Sequence, residues 1–166
     1  MKRYNIVLDL DNTLILTLPL QNSDRRHSRV HIHFVEYTIG TIRFRTYARP
    51  YLTYFLQELN KIANISVWTA ATRGYAEFMI KHFFPPEITI HLLLTREETV
   101  RYSKRTGRLK PVDVIFPRDT TYIVDDLEYV HQSNPWNSIP IVPFTRESLQ
   151  QRDTDLIRVL NVISSL

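Results

Sequence analysis

Asp9 and Asp11 are the residues whose type and spacing are best suited to chemistry, in the run Asp-Leu-Asp-Asn-Thr. They lie at the end of a near-continuous apolar segment, Tyr4 to Leu10, which predicts a strand buried on both faces. One carboxylate at such a strand end could attack phosphorus, and its neighbour could donate and recover a proton. An isolated run of this kind could also be a capped loop whose side chains bond nearby backbone.

Polar side chains also follow two other predicted strands. The strand Ile65 to Thr69 ends on a threonine hydroxyl, and the strand Thr120 to Val124 ends on Asp125 and Asp126. Alternation of strands with helices predicts an α/β fold in which a parallel sheet carries helices on both faces. Ligands bind beyond the carboxyl ends of such strands, so we expect these side chains to lie near Asp9. Taken alone, the acidic pair could be a solvated turn.

The carboxylates expected at the carboxyl ends of these strands could bind a magnesium ion. A carboxylate that attacks a phosphate dianion needs the charge between them cancelled, and a divalent cation can do this. Mg²⁺ prefers oxygen ligands. The expected ligands are the carboxylates of Asp9, Asp125 and Asp126 together with the backbone carbonyl of Asp11.

The transferred phosphate also needs its own partners. Thr69 offers a hydroxyl, and nearby backbone N–H groups such as that of Ala70 could bind phosphate oxygens. A lysine would neutralise the equatorial charge of the transition state. Lys110, just before a short helical stretch over 111–116, is the candidate for this role, and Lys104 is its rival.

Periodic apolar residues predict the remaining elements. Alternation predicts a β-hairpin within 30–47, and the polar stretch 21–29 before it is expected to be a loop. Helices are expected to begin at Pro50, over 73–84 up to a Pro-Pro pair, and over 155–166, with further strands over 89–94 and 139–142. A length of 166 residues predicts one domain over 1–166 with the hairpin as its insertion.

Composition excludes several classes of site. The chain has no cysteine, so thiolate phosphatases, Cys-ligated zinc and disulfides are excluded. Three glycines cannot make a Gly-rich nucleotide loop. A net charge of +4 weakly favours an anionic partner. We expect neither a signal peptide nor a membrane span, and therefore an intracellular, soluble protein.

Three other groups of residues have plain alternatives. His31 and His33 share a hairpin face and could bind zinc, but exposed strand histidines without an obvious third ligand are more common. The basic segment 96–110 is expected to be a solvated loop, although it could help to hold an acidic or multiply phosphorylated substrate. Trp68 and the hairpin aromatics are expected in the core, although some of these aromatics could line a substrate groove.

Four segments resemble, in order, the four motifs of the haloacid-dehalogenase superfamily: 9–14, 67–70, Lys110 and 124–126. The segments 48–52 and 68–76 look more narrowly like the phosphatases that act on the C-terminal domain (CTD) of RNA polymerase II, the small CTD phosphatase or NLI-interacting-factor-like family. The resemblance runs from Tyr4 to about Phe144. Two positions depart from the family pattern. Asn12 is found where glutamate is usual, and Leu127-Glu128 is found where Ser-Pro is common.

The resemblance implies a Rossmann-like core with an inserted hairpin, a Mg²⁺ cofactor, and phosphoserine or phosphothreonine protein substrates such as the polymerase tail. It gives Asp9 the role of nucleophile and Asp11 that of acid and base. It gives Thr69 and Lys110 the phosphate contacts, and it puts Asp125 and Asp126 in the metal shell. Nucleus or cytoplasm is the expected compartment. Minimal versions of this kind also resemble proteins of large DNA viruses, so a viral protein that acts in the host cell is a further expectation.

Two alternatives use the same residues differently. The substrate could be a small phosphate ester or a nucleic-acid end, although an open site without a large cap favours a polymer. The chain could also be a binding module with a decayed site, as in the mitochondrial inner-membrane import protein that resembles this family. The presence of both Asp9 and Asp11 argues against decay.

Overall fold

Eight strands and five α-helices make up the computed structural model, which describes residues 4–21 and 32–166. The strands are β1 Tyr4–Leu8, β2 Ile15–Pro19, β3 Phe34–Ile39, β4 Ile42–Ala48, β5 Ala63–Trp68, β6 Ile90–Leu94, β7 Thr121–Asp125 and β8 Ser138–Pro140. The helices are α1 Leu52–Ile62, α2 Arg73–Phe83, α3 Arg96–Thr106, α4 Glu128–Ser133 and α5 Asp155–Ser164. The predicted loop over 21–29 and His31 lie largely outside the described residues.

The larger sheet is parallel throughout, with the strand order β6-β5-β1-β7-β8. Leu8 at the end of β1 lies opposite Val67 of β5 and Val124 of β7. Since the three central strands end level with one another, the residues that follow them emerge at one edge. The predicted α/β class and parallel sheet are confirmed.

Alternate residues of the central strands pack against helices on opposite faces of this sheet. Ile6 and Leu8 face the cluster that contains the apolar sides of α1, α2 and α5. Val7 instead faces a second cluster that includes Trp68 and Val130 of α4. A strand that is covered on both faces is apolar at nearly every position, which is why 4–8 contains little alternation. Trp68 is fully buried, as expected, and its indole N–H donates to Thr99 Oγ1.

The smaller sheet is antiparallel and has three strands in the order β2-β4-β3. The predicted hairpin corresponds to β3 and β4. The third strand, β2, follows the Asp-Leu-Asp run directly and pairs with β4, so that Thr17 lies opposite Thr46. Sequence reasoning missed β2 because its partner lies far along the chain and its five residues lack a clear alternation.

The expectation of a loop over 96–110 was wrong for most of that segment, because α3 occupies Arg96–Thr106. Thr95 and Glu98 form a capping box at its start, and Gly107 ends it in the left-handed region with φ of 69°. Thr99 is its one buried residue, so the helix lacks the apolar stripe that would have predicted it. Within the described ranges, none of the helices has the length and apolarity needed to cross a membrane.

Candidate active site

A buried lysine lies between two buried aspartates at the carboxyl edge of the parallel sheet. Lys110 Nζ is 2.8 Å from Asp9 Oδ1 and 2.7 Å from Asp125 Oδ2. All three side chains are almost fully inaccessible to solvent. Asp9 follows β1 and Asp125 ends β7, while Lys110 comes from the loop after α3. The structure therefore brings together three residues that the sequence predicted as one site.

Lys110 reaches this position through a constrained loop that Asn134 holds. Its backbone has φ of 49°, in the left-handed region that is costly for a residue with a side chain. The Asn134 side-chain amide donates to the carbonyl oxygens of Lys110 and Val130, and its oxygen accepts from Val112 N–H. These bonds offset the cost of the strained backbone. Sequence reasoning missed Asn134, because its bonds reach a loop 24 positions away along the chain.

Three carboxylates converge beside Lys110. Oxygen atoms of Asp9, Asp125 and Asp126 lie within 4.8 Å of one another, a spacing that could hold a metal ion. The Thr13 hydroxyl contacts two of them, at 3.0 Å from Asp9 Oδ2 and 3.3 Å from Asp126 Oδ1. A set of carboxylate oxygens at this spacing fits Mg²⁺.

Burial and charge shift the pKa values in opposite senses. Burial raises the pKa of Asp9, Asp125 and Asp126, and the Lys110 ammonium works against this for the first two. Burial disfavours the ammonium, yet Asp9 and Asp125 raise the pKa of Lys110 above its ordinary value. Three carboxylates against one ammonium leave an excess of negative charge, which a bound cation would offset.

The Asp11 carboxylate lies outside this cluster of three. Its Oδ1 accepts a 2.5 Å hydrogen bond from the hydroxyl of Tyr75 on α2. Burial raises the pKa of Asp11, and the bond from Tyr75 partly opposes that rise. The Asp11 side chain therefore has a different partner from that of Asp9. Tyr75 itself was not singled out from the sequence.

Thr69 and Ala70 follow β5 at the same edge. Thr69 is buried, its N–H donates to Leu94 O, and its hydroxyl oxygen accepts from the N–H of Ala71 at 3.1 Å. The hydroxyl proton of Thr69 is not used in that bond. Ala70 is exposed, and its carbonyl accepts from Arg96 Nε. An exposed turn with a hydroxyl donor at its start is suited to an anionic group.

Arg49 secures the loop that carries Thr13. Its buried guanidinium donates to Asp153 Oδ2 at 3.0 Å and to the Thr13 carbonyl at 3.1 Å, and it lies over the Phe144 ring. Arg49 belonged to a family-like segment in the sequence, but nothing there indicated this structural role. Its charge is paired within the fold and is not presented to solvent.

The two departures from the family pattern have clear structural contexts. Asn12 adopts φ of 64°, which asparagine tolerates better than most residues, and its amide donates to Phe144 O. Leu127 N–H donates to Asp125 Oδ1 at 2.9 Å, so the altered pair still holds this carboxylate. Both departures are compatible with the geometry of the site.

The other basic residues of 96–110 do not share the position of Lys110. Lys104 and Arg105 are exposed in the last turn of α3, while Arg96 lies at its first turn beside Ala70. The zinc alternative gains no support from His33, whose ring packs on Phe83 at 5.3 Å between centroids. Among the residues that the structure describes, the group with metal-ligating geometry is the one at Asp9.

Comparisons with known proteins show the family of the chain. The family model "NLI interacting factor-like phosphatase" matches residues 4–166. A protein named putative CTD phosphatase-like protein 355R, from Invertebrate iridescent virus 6, is 32% identical over 96% of this chain and 97% of its own. A human C-terminal domain phosphatase of RNA polymerase II is 31% identical over 81% of this chain, and the match covers 14% of that protein.

A solved structure has the same fold. The fission yeast RNA polymerase II CTD phosphatase Fcp1, bound to beryllium fluoride, superposes with a TM-score of 0.66 at 20% identity. The match covers 99% of this chain and 50% of that chain. The architecture is therefore the Rossmann-like fold of the haloacid-dehalogenase superfamily with a small inserted sheet.

Proposed function

Because the chain belongs to the NLI interacting factor-like phosphatase family, we propose that it is a Mg²⁺-dependent protein serine/threonine phosphatase that acts through an aspartyl-phosphate on Asp9. Family membership and its CTD phosphatase-like relatives support a phosphatase of the haloacid-dehalogenase type. The observation that carries the finer proposal is the buried contact of Lys110 with both Asp9 and Asp125.

Asp9 is the proposed nucleophile. Its Oδ1 is engaged by Lys110 and its Oδ2 by Thr13, so the carboxylate is held in one orientation. Attack on a phosphoserine or phosphothreonine would form an acyl phosphate on Asp9 and release the alcohol. Water would then cleave the acyl phosphate. Lys110, which its neighbours keep protonated, would bind an equatorial phosphate oxygen, together with the Thr69 hydroxyl and the backbone at Ala70.

Asp11 is the proposed acid and base. It would protonate the departing alkoxide and later take a proton from the attacking water. A buried carboxyl with a raised pKa is better able to hold a proton near neutral pH than an exposed one. The Asp11 carboxylate lies apart from the cluster of Lys110, Asp9 and Asp125. This separation supports different roles for the two aspartates, with Asp9 as nucleophile and Asp11 as acid and base.

Asp9, Asp125 and Asp126 are the residues that would hold Mg²⁺, with the Asp11 backbone carbonyl as a further proposed ligand. The ion would supply charge neutralisation between the carboxylate nucleophile and the phosphate dianion. Thr13 keeps Asp9 and Asp126 oriented toward a common point.

We propose a phosphorylated polymerase-tail-like peptide as the substrate. The human relative and fission yeast Fcp1 are both named as phosphatases of the RNA polymerase II C-terminal domain. Among the described residues the insertion is a small sheet and not a large covering domain, which favours an extended peptide as the substrate. The proposed site residues would bind the phosphate ester, which peptides, nucleotides and DNA ends can all carry. The kind of substrate is therefore tested by comparing these phosphate esters directly.

A substrate panel tests the proposal. Purified protein with Mg²⁺ is given phosphoserine and phosphothreonine heptad peptides, nucleotides and 5′-phosphorylated DNA ends, and phosphate release is measured with and without EDTA. We expect hydrolysis of the phosphopeptides, its loss in EDTA, and its loss in Asp9→Asn. Faster release from nucleotides or DNA ends would overturn the protein substrate, and no release from any phosphate ester would overturn the phosphatase assignment.

A further inference from the structure

A chain of four hydroxyl groups extends from Asp11 into the small sheet. The Tyr75 hydroxyl lies 2.5 Å from Asp11 Oδ1 and 2.7 Å from Thr17 Oγ1. Thr17 Oγ1 lies 2.7 Å from Thr46 Oγ1, which lies 3.1 Å from the Tyr37 hydroxyl. Each strand of the small sheet contributes one member, since Thr17 is on β2, Thr46 on β4 and Tyr37 on β3.

Counting protons fixes the direction of this chain when Asp11 is ionised. A carboxylate can only accept, so the single hydroxyl proton of Tyr75 goes to Asp11. The Tyr75 oxygen then accepts from Thr17, Thr17 accepts from Thr46, and Thr46 accepts from Tyr37. Every hydroxyl donates in the same sense, toward Asp11. Hydrogen bonds aligned in this way polarise one another, which favours one orientation of the Asp11 carboxylate at the end of the chain.

The chain is anchored by packing as well as by hydrogen bonds. Thr46 is fully buried, and Tyr37 packs against Phe78 of α2 with ring centroids 5.1 Å apart. Thr17 and Thr46 are directly paired in the sheet register. The hydroxyl that meets Asp11 is therefore held by both α2 and the small sheet.

We propose that Tyr75 is a positioning residue that holds the Asp11 carboxyl for proton transfer to the leaving oxygen, and that the small sheet fixes Tyr75 through Thr17 and Thr46. This inference rests on the proposed function of Asp11. The inserted sheet would then contribute to proton transfer, because its Thr17 and Thr46 hydroxyls hold the Tyr75 hydroxyl that donates to Asp11. The bond of Tyr75 to one carboxylate oxygen leaves the other oxygen of Asp11 for the substrate.

Leaving-group dependence tests the inference, because a misplaced acid matters most when the leaving oxygen is basic. The variant Tyr75→Phe is compared with wild type on p-nitrophenyl phosphate and benzyl phosphate, which are similar in size. kcat/KM reports the first chemical step, in which p-nitrophenolate departs without help and benzyl alkoxide needs a proton. We expect kcat/KM to fall roughly tenfold or more for benzyl phosphate and less than about twofold for p-nitrophenyl phosphate.

The matched control is Tyr4→Phe, a substitution on β1 outside the chain of four that removes a hydroxyl bond to the Leu166 carbonyl. It should leave the ratio of the two kcat/KM values unchanged. An equal fall for both substrates in Tyr75→Phe, or no fall for either, would overturn the positioning role. A role for Tyr75 in binding would lower both values together.

A second variant covers the case in which Tyr75→Phe fails to fold. Thr17→Val keeps Tyr75 and its bond to Asp11 but removes the donor behind it, so we expect a smaller loss that again falls mainly on benzyl phosphate. Equal effects on both substrates would count against the inference. If wild type with Mg²⁺ hydrolyses neither these two esters nor a phosphopeptide, the proposed function fails. If wild-type hydrolysis depends on Asp9 but Tyr75→Phe affects both esters equally, only this inference is overturned.

Discussion

Lys110 Nζ lies 2.8 Å from Asp9 Oδ1, although 101 residues separate the two along the chain. The same ammonium is 2.7 Å from Asp125 Oδ2, so one buried cation joins the ends of two neighbouring strands. This contact places a positive charge next to the carboxylate that we propose attacks phosphorus. It also makes the lysine structurally important, since its removal would leave two buried carboxylates without their cation.

Lys110→Met should therefore lower both stability and activity. Breaking a buried ion pair on one side costs about 3–5 kcal/mol of unfolding free energy. Loss of one donor to the transition state should lower kcat roughly 100- to 1,000-fold. Urea unfolding and phosphopeptide hydrolysis measure the two effects. Lys104→Met, which changes an exposed lysine of the same segment, is the control and should change neither; a Lys104 variant as impaired as the Lys110 variant would contradict our choice of lysine.

Asn134→Ala should destabilise the loop that presents Lys110. The substitution leaves buried backbone groups of Lys110, Val112 and Val130 without a partner. We expect a loss of about 2–4 kcal/mol in the free energy of unfolding, together with a lower kcat. Asn161→Ala, at an exposed position of α5, should stay within about 0.5 kcal/mol of wild type. Similar unfolding free energies for the two variants would show that Asn134 does not hold the loop.

Mg²⁺ should stabilise the folded protein independently of turnover. A ligand at 100 times its Kd adds about 2.7 kcal/mol, which for a chain of this size raises Tm by roughly 5–10 °C. Thermal unfolding with Mg²⁺ and then with EDTA measures this shift. Asp126→Asn should reduce it strongly, because that carboxylate belongs to the proposed ligand set. Asp119→Asn, at an exposed position, should retain it; equal shifts in both variants would place the ion elsewhere.

Arg49 and Arg43 offer a matched comparison of a buried and an exposed ion pair. Arg49→Met removes the partner of Asp153 and the donor to the Thr13 carbonyl, and should cost about 3–5 kcal/mol. Arg43→Met removes an ion pair with Glu36 in which the arginine side chain is 67% exposed, and should cost less than about 1 kcal/mol. Chemical denaturation measures both, and comparable losses would refute a supporting role for Arg49.

The strand ends and their acidic residues could be predicted from the sequence because both depend on local pattern. Apolar runs followed by polar residues identified the positions of Asp9, Thr69 and Asp125 correctly. Lys110 was also expected in the same cluster, from its position just before a short helical stretch, with Lys104 as its rival. Only the structure shows that Lys104 lies in the last turn of an exposed helix.

Other features could not be predicted from local pattern. The helix α3 was missed because it has a single buried residue and no apolar stripe, and β2 because its pairing is nonlocal. The bonds of Asn134 to the Lys110 loop and of Tyr75 to Asp11 join residues 24 and 64 positions apart. Contacts of this kind depend on how the helices and strands pack, and the periodicity of the sequence does not predict them.

The central claim is that Asp9 receives the phosphoryl group, and capture of that intermediate tests it most directly. Wild type and Asp9→Asn are mixed with phosphopeptide and Mg²⁺, quenched in acid within one turnover, and digested for mass spectrometry. We predict that the wild-type peptide containing Asp9 gains the mass of one phosphoryl group, that hydroxylamine removes it, and that Asp9→Asn shows no gain. A phosphoryl group on another residue, or undiminished phosphate release by Asp9→Asn, would contradict the account.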